Sequence, residues 1–252
     1  MIIPLRDDDS RRRTFPIVNL ILIGVNILAY IYVYYLVDPV TQQNILANYV
    51  VIPQEIVQGQ DIAPPGPYPL WITLFTAMFL HANFLHIAGN MLFLFIFGDN
   101  VEDAFGHLGY LVFYLFCGVV ASLSQVYVTE VFQGAQGITG GELGASGAIA
   151  GVLGAYLVLY PYARVRVLIG FGIFFFTRLS AGLVIGAWFL LQFIPGIVAI
   201  RGVGGGTAYF AHVGGLIAGA LLALLFRPRR LRNTSLPPGT PPGPPPGYQG
   251  SY

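Results

Sequence analysis

Val165-Arg166-Val167-Leu168-Ile169-Gly170-Phe171-Gly172-Ile173-Phe174-Phe175-Phe176 decides how often this chain crosses a bilayer. As a helix these twelve residues rise only about 18 Å, against a hydrocarbon core of about 30 Å. The other apolar runs are long enough, or nearly so: Ile17–Val37, Leu80–Phe97, Leu108–Val128, Ser146–Tyr160, Leu179–Ile200 and Ala208–Phe226. If Val165–Phe176 crossed as well, seven spans would put the two arginine-rich ends of the chain on opposite sides. Six spans put them on one side, together with Arg164, Arg166 and Arg178, and leave Arg201 alone on the other. Positive residues gather on the cytoplasmic side of membrane proteins, so six spans are expected, with both termini cytoplasmic. Val165–Phe176 then lies in the interface or extends the fifth helix.

Composition supports a membrane solvent. The 252 residues are 56% hydrophobic and 9% charged, where a soluble domain carries about 25% charged residues. Mean hydropathy is +0.71. A net charge of +1 gives no reason to expect nucleic acid or an acidic partner. Cys117 is the only cysteine, which excludes an intrachain disulfide, and its apolar neighbours suit a packed thiol. The first apolar run is long enough to span and is followed by no small-residue cleavage site, so it reads as a helix and not as a signal peptide. The expected organisation is a polar cytoplasmic segment over residues 1–15, a membrane domain over 16–228, and a tail over 229–252 that is basic and then rich in proline and glycine. Asp38–Thr76 is long and mixed, with five prolines between Pro53 and Pro69 and an interface-type Trp71, and reads as an ordered loop on or in the interface.

Polar residues inside the spans fall at one depth. Ser146 is fifteen positions before Pro161, and His212 is fifteen before Arg227, so each stands about 22 Å above the cytoplasmic boundary. With the second helix ending near Asp99, His86 stands about 20 Å up and Asn90 about 14 Å. His86 and Asn90 are spaced i, i+4, share a face, and both can donate a hydrogen bond towards one point. The fourth span is too short to cross the core, so Ser146 marks a helix N-terminus below the outer surface. Free N–H groups and the positive dipole end collect there, where an oxyanion is stabilised. Gly147 with Gly151, and Gly215 with Gly219, form small-residue faces that let two helices approach closely enough for a Ser–His hydrogen bond. No Asp or Glu lies in the inner part of a predicted span, so a Ser146–His212 dyad is the economical catalytic reading.

Blander readings compete residue by residue. A serine in a membrane helix commonly bonds its own backbone. A buried histidine can serve packing or a proton path. Gly144-Ala145-Ser146-Gly147 lacks the last glycine of a nucleophile elbow, because Ala148 takes its place. His81, His86 and His212 could ligate a metal, although a spacing of five between the first two is wrong for one helix face. His107 reads as a solvated loop histidine, Glu102 and Asp103 as loop or cap residues, and Trp188 as packing, with a lateral gate as the alternative.

Taken together, His81-Ala82-Asn83-Phe84-Leu85-His86-Ile87-Ala88-Gly89-Asn90, Gly144-Ala145-Ser146-Gly147 and Ala211-His212-Val213-Gly214-Gly215 resemble the rhomboid intramembrane serine proteases, in the family's order and over about residues 15–228. The resemblance implies an all-α polytopic membrane protein with six transmembrane helices, whose short fourth helix carries the nucleophile at its N-terminus. It implies Ser146 as nucleophile and His212 as general base and acid. His86, Asn90 and the Ser146 N–H would form the oxyanion hole, with His81, Gly144, Gly147 and Gly215 supporting. No cofactor or metal is implied. The expected partners are the lipid bilayer and transmembrane protein substrates, and the expected location is a bacterial plasma (inner) membrane. Glu102 resembles a family acid that ties the second helix to its neighbours. Two departures stand out. Trp71 is followed by Ile72, where some members have arginine. Ala150 stands where some have a tyrosine that packs on the histidine, so what orients His212 is open; Tyr209, one turn before it, is a candidate.

Overall fold

A computed structural model describes residues 2–7, 12–62, 65–133, 141–170, 174–199 and 208–226. The expected disordered tail and the arginines from Arg227 onward lie outside the described residues, as does Arg201.

Strand β1 (Ile2–Arg6) precedes helix α1 (Ile17–Ile31), which continues as a π-turn over Tyr32–Leu36. The long loop contains α2 (Pro39–Asn48), α3 (Pro53–Gln58) and a short α4 (Thr73–Thr76) between two 3₁₀ turns. Asp38 caps α2 by accepting from the Val40 and Thr41 amides, so Asp-Pro at this point is a helix start. Then come α5 (Phe84–Phe105), α6 (His107–Val128), α7 (Ser146–Leu159), strands β2 (Arg164–Gly170) and β3 (Phe174–Ser180), α8 (Ala181–Ala199) and α9 (Tyr209–Leu225). Among the described residues, Ile17–Leu36, Phe84–Phe105 and His107–Phe132 are long and apolar enough to cross a bilayer. Ser146–Leu159, Ala181–Leu191 and Tyr209–Leu225 are shorter apolar helices. The chain is mostly helical and is an integral membrane protein.

Helix α7 is the hub. It packs on α5, α6 and α9, and Gly147, Ala148, Ala150, Gly151, Val152, Leu153 and Ala155 along it are all buried. A Cβ placed on Gly215 would meet the Gly147 carbonyl oxygen at 2.1 Å, and one on Gly219 the Gly151 carbonyl oxygen at 1.9 Å. Helices α7 and α9 therefore run backbone against backbone, as the paired glycines predict. Cys117 is buried on α6 against Gly151.

The all-α expectation fails at one end of the bundle. Val165–Phe176 neither extends the fifth helix nor lies as a helix in the interface: β2 and β3 pair antiparallel, and β1 adds to β2 in a three-stranded sheet. Arg164-Val165-Arg166-Val167 alternates with period two, which a strand turns into one exposed and one buried face. Val165 and Val167 are fully buried against the bundle, while Arg164 and Arg166 are exposed. The N-terminal segment, expected only as a polar tail, supplies the sheet's third strand.

Helix α5 also runs further than expected, to Phe105 and not to about Phe97. Its last turns bury Asp99, Glu102 and Asp103, acceptable because every carboxylate is partnered. Glu102 accepts from the Val18 and Asn19 amides at the start of α1, Asp103 from the Arg13 and Thr14 amides, and Asp99 pairs with Arg12 at 2.9 Å. Glu102 also pairs with Nδ1 of His107, so that histidine is partnered and not merely solvated. Removing Glu102 leaves two amides of α1 without their acceptor; Glu102→Ala is expected to lower the thermal midpoint clearly, at a cost of about 3 kcal/mol, with Glu102→Gln intermediate.

Candidate active site

Three helix ends and one helix face meet around Ser146. Ser146 is the first residue of α7, and Gly144, two positions earlier, has φ +126°, a backbone shape that side chains rarely adopt. That turn is tied down from both sides. The Gly144 amide donates to the Ala77 carbonyl at 2.8 Å, and Val51 and Glu142 exchange backbone hydrogen bonds at 2.9 and 2.8 Å. Asn83 caps α5 by accepting from the His86 amide at 2.9 Å, which fixes the helix start that carries His86 and Asn90. Helix α9 begins at Tyr209 and brings His212 in on its first turn.

His212 Nε2 and Ser146 Oγ are 2.7 Å apart, a hydrogen bond between residues on separate helices. His212 is buried. A cavity of about 560 Å³ opens beside the pair, lined among others by His86, Asn90, Leu143, Ser146, Trp188 and His212. The His86 ring lies against Gly144, where an added Cβ would come within 2.8 Å of it and within 3.7 Å of Ser146 Oγ. Asn90 Nδ2 is 2.9 Å from Nε2 of the buried His81, whose ring also meets that of His86 edge-on at 5.1 Å. His81, His86, Asn90, Gly144, Ser146 and His212 thus occupy one neighbourhood, and Gly147 and Gly215 set the helix approach that brings the two sides together. Helix α5, which carries His86 and Asn90, ends about two turns beyond its expected end.

Trp188, which reads as packing from the sequence, lies at the site. Its ring lies 5.5 Å from that of His212 and 6.1 Å from Phe93. Tyr209 lines the same cavity, but among the described residues the ring recorded against His212 is that of Trp188. Nothing local in the sequence marks it, because the contact depends on how α8 leans on α9.

A second, smaller cavity of about 30 Å³ lies on another side of Ser146, lined by Met78, Gly118, Ser122, Glu142 and Gly147 among others. Burial pushes the Glu142 carboxyl up to about 8. The folded state therefore holds a proton that the unfolded chain has lost, and stability falls as pH rises from the ordinary carboxylate range through about 8. Glu142→Gln is expected to raise the thermal midpoint by a few degrees at pH 8 and to leave it unchanged at pH 4, measured by scanning fluorimetry.

Comparison with known proteins identifies the family. The family described as the Rhomboid domain matches residues 69–229. The chain belongs to the rhomboid family. Rhomboid-like protein 11, chloroplastic, of Arabidopsis thaliana is 39% identical over 34% of this chain and 28% of its own length. Rhomboid protein 1, mitochondrial, of Saccharomyces cerevisiae is 30% identical over 60% of the chain and 40% of its own length. Rhomboid protease AarA of Providencia stuartii is 26% identical over 86% of the chain and 76% of its own length. With the first two relatives, then, the rhomboid chain shares less than half of their length. The matched family region runs from the loop before α4 to beyond α9 and contains every residue of the cluster around Ser146.

Proposed function

We propose that this rhomboid chain is an intramembrane serine endopeptidase that hydrolyses peptide bonds in or near transmembrane segments of other proteins. The observation that carries the reading is the 2.7 Å contact between His212 Nε2 and Ser146 Oγ beside a cavity in an otherwise apolar bundle. With the Nδ1–H tautomer, the serine hydroxyl donates to Nε2. His212 takes that proton as Oγ attacks the scissile carbonyl, then gives it to the leaving amine as the C–N bond breaks. Water, deprotonated by His212, hydrolyses the resulting ester and frees Ser146. The oxyanion meets the Ser146 N–H at the α7 N-terminus, with Asn90 and His86 as side-chain donors. Asn90 has two amide hydrogens, so its bond to His81 orients the group and leaves one hydrogen for substrate.

The same reading makes six helices (α1, α5, α6, α7, α8 and α9) the membrane body over residues 16–228, with short α7 starting below the outer surface. Residues 1–15 and 229–252 are the flanking segments, on the arginine-rich cytoplasmic side, and the bilayer is a bacterial plasma membrane. A substrate helix must unwind to present a carbonyl, since its backbone is already hydrogen-bonded. Helix-weakening residues near the cut follow from that, and small side chains fit beside Gly144 and Ala145.

The test is cleavage of a membrane-anchored reporter by the purified protein in liposomes. Cleavage within or next to the reporter's transmembrane segment is expected; an intact reporter with well-folded protein would overturn the function. Asn90→Ala is expected to lower kcat by about a hundredfold or more. Trp188 is a positioning residue: Trp188→Ala lets the His212 ring turn and lowers kcat by roughly ten- to a hundredfold with KM little changed, while Trp188→Phe keeps most activity.

A further inference from the structure

The sheet at the arginine-rich end presents a face that the peptidase reading does not use. Across β2 and β3, Arg166 stands directly opposite Arg178, and Arg6 of β1 is opposite Arg166. One rung of the sheet thus carries an arginine on each of three strands. Arg164 follows two residues from Arg166, on the same face. Like charges directly opposite each other on a sheet are destabilising. No Asp or Glu occurs between Arg164 and Ser180, and Arg164, Arg166 and Arg178 form no ion pair among the described residues.

Towards the hairpin tip the same face turns aromatic. Side chains two apart share a face, so Phe174 and Phe176 continue the line of Arg178. They are 66% and 62% exposed, and the Arg166 guanidinium lies 5.4 Å above the Phe176 ring. The opposite face, with Val165 and Val167, is packed on the bundle. Strand β3 passes without a linker into the apolar helix α8, whose Leu183 and Leu190 are exposed. The exposed phenylalanines thus stand on a strand that leads directly into an apolar helix.

We propose that this arginine–phenylalanine face of the β2–β3 hairpin docks on anionic phospholipid headgroups of the adjacent leaflet. Arg164, Arg166 and Arg178 meet headgroup phosphates, and Phe174 and Phe176 enter the headgroup–acyl boundary. Arginine matches phosphate geometry in two-pronged fashion, aromatic rings favour the interface, and basic clusters beside a membrane helix draw anionic lipid. The lipid phosphates neutralise Arg166 and Arg178, which stand opposite each other without an ion pair among the described residues.

The first experiment takes the full chain in neutral detergent and titrates phosphatidylglycerol, phosphatidylcholine or inorganic phosphate. It reads the thermal midpoint and the lipids retained in native mass spectrometry. Wild type is expected to retain phosphatidylglycerol at least tenfold more tightly than phosphatidylcholine. R166Q/R178Q is expected to lose most of that preference and, without lipid, to melt no lower than wild type, because the rung repulsion is gone. R166K/R178K should keep a large part of the preference. An undiminished preference in R166Q/R178Q, or displacement of the lipid by equimolar phosphate, would overturn the proposal. The second experiment labels Phe174→Cys with an environment-sensitive dye, the native Cys117 being buried. In vesicles of mixed phosphatidylcholine and phosphatidylglycerol, brominated acyl chains should quench the label. Quenching by aqueous iodide alone would place the face in water and overturn the lipid assignment.

Discussion

Ser146→Ala is expected to reduce cleavage of a membrane-anchored reporter by about 10⁴-fold or more, with the protein as stable as wild type. The substitution removes one oxygen at a partly buried position and leaves the helix start and its glycine contacts untouched. His212→Ala should fall by a similar factor. Each residue is useless without the other, because the hydroxyl needs a proton acceptor and the imidazole needs a proton to take. The double variant should therefore be hardly slower than either single one, and that non-additivity separates a working pair from two independent contributors. A double variant slower by the product of the single effects would argue that the 2.7 Å contact is incidental.

Gly219→Ala is expected to have the largest effect on stability for the smallest chemical change. The added methyl would lie 1.9 Å from the Gly151 carbonyl oxygen and within 2.6 Å of two more backbone atoms of that residue. Backbone cannot swing aside as a side chain can, so α9 must move away from α7. Overpacking of this kind typically costs about 1–3 kcal/mol, and here the obstacle is a helix backbone at its closest approach, which places the cost at the upper end. The shift also parts Ser146 from His212, and a displacement of about 1 Å can lower a catalytic rate by about a hundredfold. Both the thermal midpoint and the cleavage rate should drop. Gly186→Ala on α8 is the control, since among the described residues nothing beyond its own helix backbone lies within 4 Å of its added methyl. Its midpoint should be unchanged or slightly raised, alanine being the better helix former.

Much of this architecture was legible because a membrane restricts the choices. Apolar runs must be helices that satisfy their own backbone, so α1, α6, α7, α8 and α9 begin within two residues of their expected starts. The cluster around Ser146 was legible for the same reason: polar side chains at bilayer depth stand out, and a helical rise converts their positions into heights. Charge does not end α5, although it marks a helix end in the sequence. Asp99, Glu102 and Asp103 stay helical and buried because backbone amides of residues 13–19 and Arg12 partner them, a long-range arrangement with no local sign. The hairpin is a different case. The Arg-Val alternation was present, but over twelve residues total hydrophobicity outweighed the two-residue period. Trp188 was legible as packing but not as the neighbour of His212, since that approach is set by how α8 leans on α9.

The central claim is that Ser146 is a nucleophile activated by His212. Its most direct test is labelling of the purified, reconstituted chain by a serine-directed phosphonate, wild type beside Ser146→Ala, read by intact mass and by mapping of the modified peptide. The account predicts one adduct per chain on Ser146 in the wild type and none in Ser146→Ala. A folded wild type that takes no label, or an adduct that persists in Ser146→Ala, would contradict it.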